Sequence, residues 1–426
     1  MNAVFTIVAK NYTGLGAILE KSVRQHANAD YYIFISDEPD DPSLARDQFP
    51  ASVVWSREAL AIEEPLWNQL AFKYNLVEFA TAIKPFCYDY LFEKKQYDRV
   101  VFFDPDVLVF NTMDTIFSGL DDHTFMLTPH ILDMHPPVKS DHPSHLFLLY
   151  GTFNLGFMAM KKNELSRAML NWWKEVLISD CFFDNDRGTA TDQKWISLLP
   201  ALVPQEEILI SRDRGLNAAP WNFHEREFSV SDGRVFVSAR GNQSAERQPL
   251  TFVHFSGYDY SSFSKGGVVH KKEDIRSFPD LSLAFDRYAE ALAGGDFAKY
   301  IGLRYSYNTF DNGKNILSLH RRLYRRLLDE HKEFGNPFTT GKGSYYDLLR
   351  RKKLIDHSAV QADKVTGKTI SGFDRKLGKL NFMAGMLKRL VGVRKYSMLA
   401  RFFRRYFKEE NQAFLVDKEA GNKLWH

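Results

Sequence analysis

The chain has 426 residues, 44% of them apolar and 26% charged, enough to bury more than one core and outside the composition of disordered or fibrous proteins. Its formal charge is +3, yet residues 381–410 hold eight Lys or Arg against Glu409 and Glu410, so the remainder sums to −3. A mildly acidic body argues against nucleic acid as a partner, and Cys87 and Cys181, far apart and without paired spacing, exclude a disulfide framework or zinc knuckle and suit a cytoplasmic protein.

In chain order, VFTIVA reads as a first strand, with neither a basic leader nor a cleavage site before it. A helix over roughly Leu15 to His26 follows, then a strand at YYIFIS, then a helix from about Leu76 to Lys94 interrupted near Pro85, then RVVFFDPD. This β-α-β-α-β order predicts a largely parallel sheet with helices on both faces. The run Arg99 to Phe110 carries Asp104 and Asp106 about Pro105. Aspartates one residue apart on extended backbone point to opposite sides, so a sharp turn at Pro105 is required before both can serve one site. Ligands in open sheets of this kind gather beyond the carboxyl ends of the strands, where these carboxylates fall. Hard oxygen ligands suit Mg²⁺ or Mn²⁺; the plainer alternative is a surface turn after a buried strand.

Further on, NLGFMAM (Asn154 to Met160) reads as a buried strand whose Gly156 permits close backbone approach, and Leu165 to Leu177 as a helix that packs Trp172 and Trp173. Thr191 is expected to N-cap a helix with Asp192 and Gln193 in its first turn, an arrangement that capping chemistry alone also explains. TFVHFSG is a short strand ending on His254, either a core histidine or an imidazole available to a cation.

Taken together these segments resemble the nucleotide-sugar glycosyltransferases of the GT-A fold, above all the retaining, glycogenin-like and bacterial lipopolysaccharide galactosyltransferase group and related enzymes of polysaccharide biosynthesis. The resemblance covers residues 1–275 and implies there an α/β, Rossmann-like catalytic domain; the helical runs of the sequence itself place a mostly helical extension at 276–426. It implies that Lys10, Asn11 and Tyr12 hold the nucleoside and that Lys84 contacts the donor. Asp104 and Asp106 inherit the metal and diphosphate role, with His254 as third metal ligand; Asn154 and Gly156 line the donor sugar, and Asp192 and Gln193 lie beside its anomeric carbon. Trp221 and Asn222, in LNAAPWNFHER with His224, are expected to face the sugar, and Lys265 to grip the diphosphate, although it falls later than in the family's histidine motif.

The implied reaction moves a hexose from a nucleotide diphosphate sugar, a UDP-sugar by expectation, to a saccharide or lipid-linked saccharide, with retention. A divalent cation would stabilise the leaving phosphate, and either a nucleophile or same-face attack would follow. Two other classes compete. A haloacid dehalogenase-type phosphohydrolase also places Asp-x-Asp after a strand, but near the start of its domain and with Thr or Val where Leu108 stands here. A catalytically silent sugar-binding protein on the same fold is the other, since fold alone never proves activity.

After residue 276 the sequence turns helical, with runs at DLSLAFDRYAEALA and KNILSLHRRLYRRLLDEH. Within 381–410, Phe382, Met386, Leu390, Met398, Phe402 and Tyr406 recur at near-helical spacing with bases between them. Such a helix suits an anionic membrane surface, on the inner face of the cytoplasmic membrane, and equally suits packing on the catalytic domain.

Overall fold

The computed structural model describes residues 1–39, 45–134, 145–242, 246–258, 260, 277–332, 334–355 and 372–424. Two compact units emerge: Met1–Ile62 with Leu76–Tyr305, and Glu63–Asn75 with Ser306–His426. The division differs from the expected boundary at 275/276, because the helix Ser282–Ala293 buries Ala284, Phe285, Tyr288 and Leu292 in the first unit beside Val253 and Phe255.

The first unit is α/β. Its strands in chain order are β1 (Asn2–Val8), β2 (Asp30–Ile35), β3 (Val53–Trp55), β4 (Arg99–Phe103), β5 (Val107–Val109), β6 (Phe125–Leu127), β7 (Phe157–Lys161), β8 (Phe183–Asp184), β9 (Thr189–Ala190), β10 (Ile208–Ile210), β11 (Arg226–Ser231), β12 (Arg234–Ala239), β13 (Gln248–Pro249) and β14 (Phe252–His254). Seven form one sheet in the order β10-β6-β7-β4-β1-β2-β3. Pairing is parallel except where β7 runs antiparallel to β4 and β6. The strands are almost continuously apolar because both faces are covered. Val4, Ile33, Val101 and Phe103 share a core with Leu19 and Val23 of the helix Thr13–His26 and Ile116 and Leu120 of the helix Asp114–Asp122. On the opposite face Phe5 meets Phe34, Phe102 and Tyr88, and Tyr88 meets Trp173 of the helix Glu164–Asp180. The interruption near Pro85 is present: Leu76–Ala82, then Lys84–Asp89, then a π-helical turn over Tyr90–Lys94.

One expectation is corrected. Thr191 is not an N-cap; its φ is +48°, a left-handed conformation that costs a β-branched residue about 1–3 kcal/mol, and Asp192 occupies the N-cap position of the short helix Gln193–Ile196.

In the second unit Phe72, on the helix Glu64–Lys73, is surrounded by the rings of Phe310, Tyr324, Phe338 and Tyr345 at 4.8 to 5.9 Å. That helix ends against a buried guanidinium: Arg321 donates to the carbonyls of Ala71, Phe72 and Tyr74, satisfying acceptors a helix terminus leaves open. Segment 409–420 belongs to this core through Ala413, Val416 and Ala420. The preceding helix, Phe373–Tyr406, has no buried residue and breaks at Gly392, whose φ of 80° and ψ of 160° are non-helical.

Candidate active site

The antiparallel course of β7 brings its first residues beside the last of β4. Asp104 N–H donates to the Gly156 carbonyl at 2.8 Å, and the Phe103 and Phe157 positions pair in the ladder. The expected turn at Pro105 then forms, with Val107 N–H donating to the Asp104 carbonyl at 3.2 Å, and starts β5. β14 pairs antiparallel with β5 and sets His254 opposite Val107, while Phe255 N–H donates to the Asp106 carbonyl at 2.8 Å. Beneath, Phe103, Phe157 and Phe252 form a ring triangle with centroids 4.9 to 5.6 Å apart.

Asp104, Asp106 and His254 thus converge, with one ligand atom from each lying within 4.8 Å of the others. His254 Nε2 is 3.0 Å from Asp106 Oδ1 and 3.7 Å from Asp104 Oδ2. The imidazole is buried, whereas the Asp104 carboxylate is 38% exposed and opens outward. Burial nevertheless dominates the Asp104 carboxyl and pushes it up to about 6, against the lowering influence of His254 and Lys84. Burial alone would lower His254; the charge and hydrogen bond of Asp106, joined by Asp104, carry it above its ordinary value. Both shifts describe ionisable groups crowded against one another.

The donor set is two carboxylates and one imidazole with an open side, and it fits a divalent ion that accepts hard oxygen together with nitrogen. His254 Nδ1 lies 3.2 Å from Asn154 Oδ1, so Nε2 faces the carboxylates, and only a proton or a cation between them makes that approach favourable.

Around this cluster the predicted residues take definite places. Gly156 is a matter of space: a Cβ there would lie 2.6 Å from His254 Nδ1 and closer still to Cε1. Lys84 is buried in an ion pair with Asp192 at 2.6 Å, donates to the Leu155 carbonyl at 3.1 Å and lies 4.0 Å over the Phe102 ring. The Gln193 amide is engaged at both ends: Oε1 accepts from Leu155 N–H at 3.0 Å and from Asn154 Nδ2 at 3.4 Å, and Nε2 donates to the Tyr150 carbonyl at 3.0 Å. Trp221 meets the His254 ring edge to face at 5.2 Å, and its Nε1 is buried without a hydrogen-bond partner among the described residues.

Asn222 is fully buried and shapes the backbone: it accepts from Ala219 N–H and donates to the carbonyls of His130 and Asn217. Lys10 pairs with buried Asp37 at 3.8 Å and donates to the Glu38 carbonyl. Asn11 Oδ1 is buried without a partner among the described residues, and Tyr12 meets Tyr260, a phenol held up by burial, by Tyr288 and by the Asp106 charge. Lys265 lies outside the described residues.

Sequence reasoning missed Asn217 and His130. Asn217 is fully buried at φ +53°, donates to Thr128 Oγ1 and Asn154 Oδ1, and leaves its own Oδ1 without a partner among the described residues. The signal was an asparagine, which tolerates a left-handed turn, three residues before Pro220. His130 stacks on Phe147 and meets Trp221; burial lowers it to about 4, so it stays neutral.

No family model matches the chain. Among curated proteins it is similar to two uncharacterized proteins of Bacillus subtilis. YfnF is 25% identical over 292 residues, 68% of this chain and 91% of YfnF; YfnD is 24% identical over 188 residues, 42% of this chain and 54% of YfnD. Among solved structures it is similar to the galactosyltransferase LgtC bound to donor and acceptor sugar analogues, at TM-score 0.42 and 14% identity over 69% of this chain and 96% of LgtC. It is also similar to the bifunctional glycosyltransferase WbbM, at TM-score 0.40 and 15% identity over 70% of this chain and 50% of WbbM.

Two outcomes follow from the geometry. Gly156→Ala displaces the His254 ring and weakens Mn²⁺ binding by at least ~10-fold in calorimetric titration, the scale for a disturbed ligand. Because the Asp104 and His254 pKa values are raised on folding, their protons stabilise the metal-free fold at low pH, and this contribution is lost as pH rises through about 6 for Asp104. A bound cation replaces those protons, so saturating Mn²⁺ raises the melting temperature more at pH 7.5 than at pH 5; equal shifts would contradict the cluster's role.

Proposed function

We propose that this protein is a GT-A glycosyltransferase that uses a divalent cation, Mn²⁺ or Mg²⁺, to transfer a hexose from a UDP-sugar to a saccharide or lipid-linked saccharide in bacterial surface polysaccharide synthesis. The observation that carries this reading is the convergence of Asp104, Asp106 and His254 at the carboxyl end of β4, with Asn154, Gly156, Asp192, Gln193 and Lys84 gathered on the β7 side. A haloacid dehalogenase-type phosphohydrolase would use Asp104 as nucleophile and Asp106 as acid/base, and Asp106 here is tied to an imidazole.

Asp104, Asp106 and His254 would hold the cation, which when bound supplies positive charge against the leaving diphosphate. Trp221 packs its ring edge to face on His254 beside the cluster, and its buried N–H has no partner among the described residues, so a small shift of this side chain would let it meet a sugar. Asn11, whose carbonyl oxygen has no partner among the described residues, is suited to a ribose O–H or base N–H donor. Lys84 neutralises Asp192, and Gln193 is bound to the backbone on either side, so neither is available as a nucleophile without breaking these contacts. That engagement favours same-face attack by the acceptor hydroxyl, which gives retention.

The helix Phe373–Tyr406 supports the lipid-linked acceptor. Phe382, Met386, Leu390, Val393, Met398 and Phe402 are all exposed on it, among many Lys and Arg, a surface suited to anionic headgroups. No helix among the described residues is long and apolar enough to cross a membrane, so this contact would be interfacial.

Asp106→Ala or His254→Ala lowers kcat/KM for Mn²⁺-dependent turnover of a UDP-hexose by about 10³-fold, several kcal/mol of charge stabilisation; the melting temperature moves little in Asp106→Ala and falls in His254→Ala, which vacates a buried ring volume. Undiminished turnover in either variant overturns the reading, as does absence of UDP binding with Mn²⁺ present. For the helix, Leu390→Glu with Phe402→Glu releases the protein from vesicles containing anionic lipid. Substitution is the right test because removing residues 409–420 would open the second unit's core.

A further inference from the structure

Asn154 does more than line a sugar. Its Oδ1 is the meeting point of three donors: Gly156 N–H at 3.1 Å, Asn217 Nδ2 at 3.1 Å and His254 Nδ1 at 3.2 Å. A backbone N–H can donate and never accept, so the Gly156 contact by itself fixes which end of the amide is the oxygen. Once Oδ1 faces His254, Nδ1 must carry the proton, and the lone pair of a neutral ring is confined to Nε2, the atom facing Asp104 and Asp106.

The network behind Asn154 is anchored away from the cluster. Asn217 is fully buried, hydrogen-bonded to Thr128 Oγ1 and held in a left-handed turn whose carbonyl accepts from Asn222. The next residue, Ala218, bonds both ways with β14: its N–H donates to the Phe252 carbonyl and its carbonyl accepts from His254 N–H. Asn217 and His254 are therefore carried by one backbone ladder. On the opposite side Asn154 Nδ2 lies 3.4 Å from Gln193 Oε1.

We propose that Asn154, oriented by Gly156 N–H and Asn217, is a positioning residue that fixes the Nδ1–H tautomer of His254 and presents Nε2 to a divalent cation. This rests on the metal reading of the Asp104, Asp106 and His254 cluster. Carbonyl acceptors behind metal-binding imidazoles hold ring orientation and raise ligand basicity, and their loss costs ~10–100-fold in metal affinity. The same scale applies to Asn154→Ala here. Asn154→Asp retains an acceptor for all three donors and keeps affinity near that of the unaltered chain, a rescue that a role confined to sugar contact would not produce.

The test measures Mn²⁺ affinity of the full chain by electron paramagnetic resonance, without any sugar nucleotide, beside ¹⁵N imidazole spectra of the metal-free protein. The expected results are weakening of ~10–100-fold in Asn154→Ala, rescue in Asn154→Asp, and an Nδ1–H signature for His254 that is lost in Asn154→Ala. If Asn154→Ala does not fold, Asn217→Ala takes its place, and a several-fold weaker affinity is expected. Affinity in the tested variant equal to that of the unaltered chain, or, at a pH where the His254 ring of that chain is neutral, a proton on Nε2 alone, overturns the proposal. An unaltered chain that binds no Mn²⁺ overturns the metal reading and with it the presentation of Nε2 to a cation. Mn²⁺ binding without any sugar-nucleotide turnover leaves the positioning role standing and removes only the transferase reading.

Discussion

The hydrogen bond from Asp104 N–H to the Gly156 carbonyl is the joint on which the candidate site depends. It extends the antiparallel β4–β7 ladder one step past the strand ends, so the chain reaches the turn at Pro105 with the carboxylates already beside the Asn154–Gly156 segment. Gly156 has to be glycine because the His254 ring fills the volume its Cβ would take. The aromatic triangle of Phe103, Phe157 and Phe252 makes this joint stiff: each buried ring contributes ~2–3 kcal/mol of burial free energy, and each lies on one of the three strands that supply the site.

Charge is organised about that joint in two compartments. On one side Asp104, Asp106 and His254 are crowded, with the Asp104 carboxyl pushed up to about 6 by burial, a state that a divalent cation relieves. On the other, Lys84 and Asp192 are both buried and satisfy one another at 2.6 Å, with Thr191 held in a left-handed conformation immediately before the carboxylate. A buried pair of this kind is weak evidence for stability, because desolvation consumes most of its Coulomb energy. Between the compartments run the amides of Asn154, Gln193 and Asn217, whose hydrogen bonds connect one to the other.

The second unit is organised differently. Its core is aromatic and centred on Phe72, and one of its buried cations, Arg321, serves backbone carbonyls. The helix Phe373–Tyr406 lies outside that core, with its apolar side chains exposed on both sides of the Gly392 break, while the turn Glu409–Leu415 that follows returns to it.

The sequence by itself determined the strands, the principal helices and the order of the motifs, because these follow from local apolar periodicity and from residue types with narrow chemical uses, such as paired aspartates about a proline. It also identified the three candidate metal ligands, since strand ends marked by turn residues are legible locally. Tertiary structure decided what depends on distant partners. Segment 63–75 leaves its sequence neighbours because Phe72 fits among rings more than two hundred residues away. Thr191 adopts its left-handed turn where local propensity favours a cap. Asn217 becomes part of the site because the Ala218 ladder brings it beside β14, and no spacing within LNAAPWN encodes that pairing. Lys84 and Gln193 acquire their partners in the same way: which hydrogen bonds a buried amide or ammonium makes is set by the strands that enclose it, and those strands come from the whole chain.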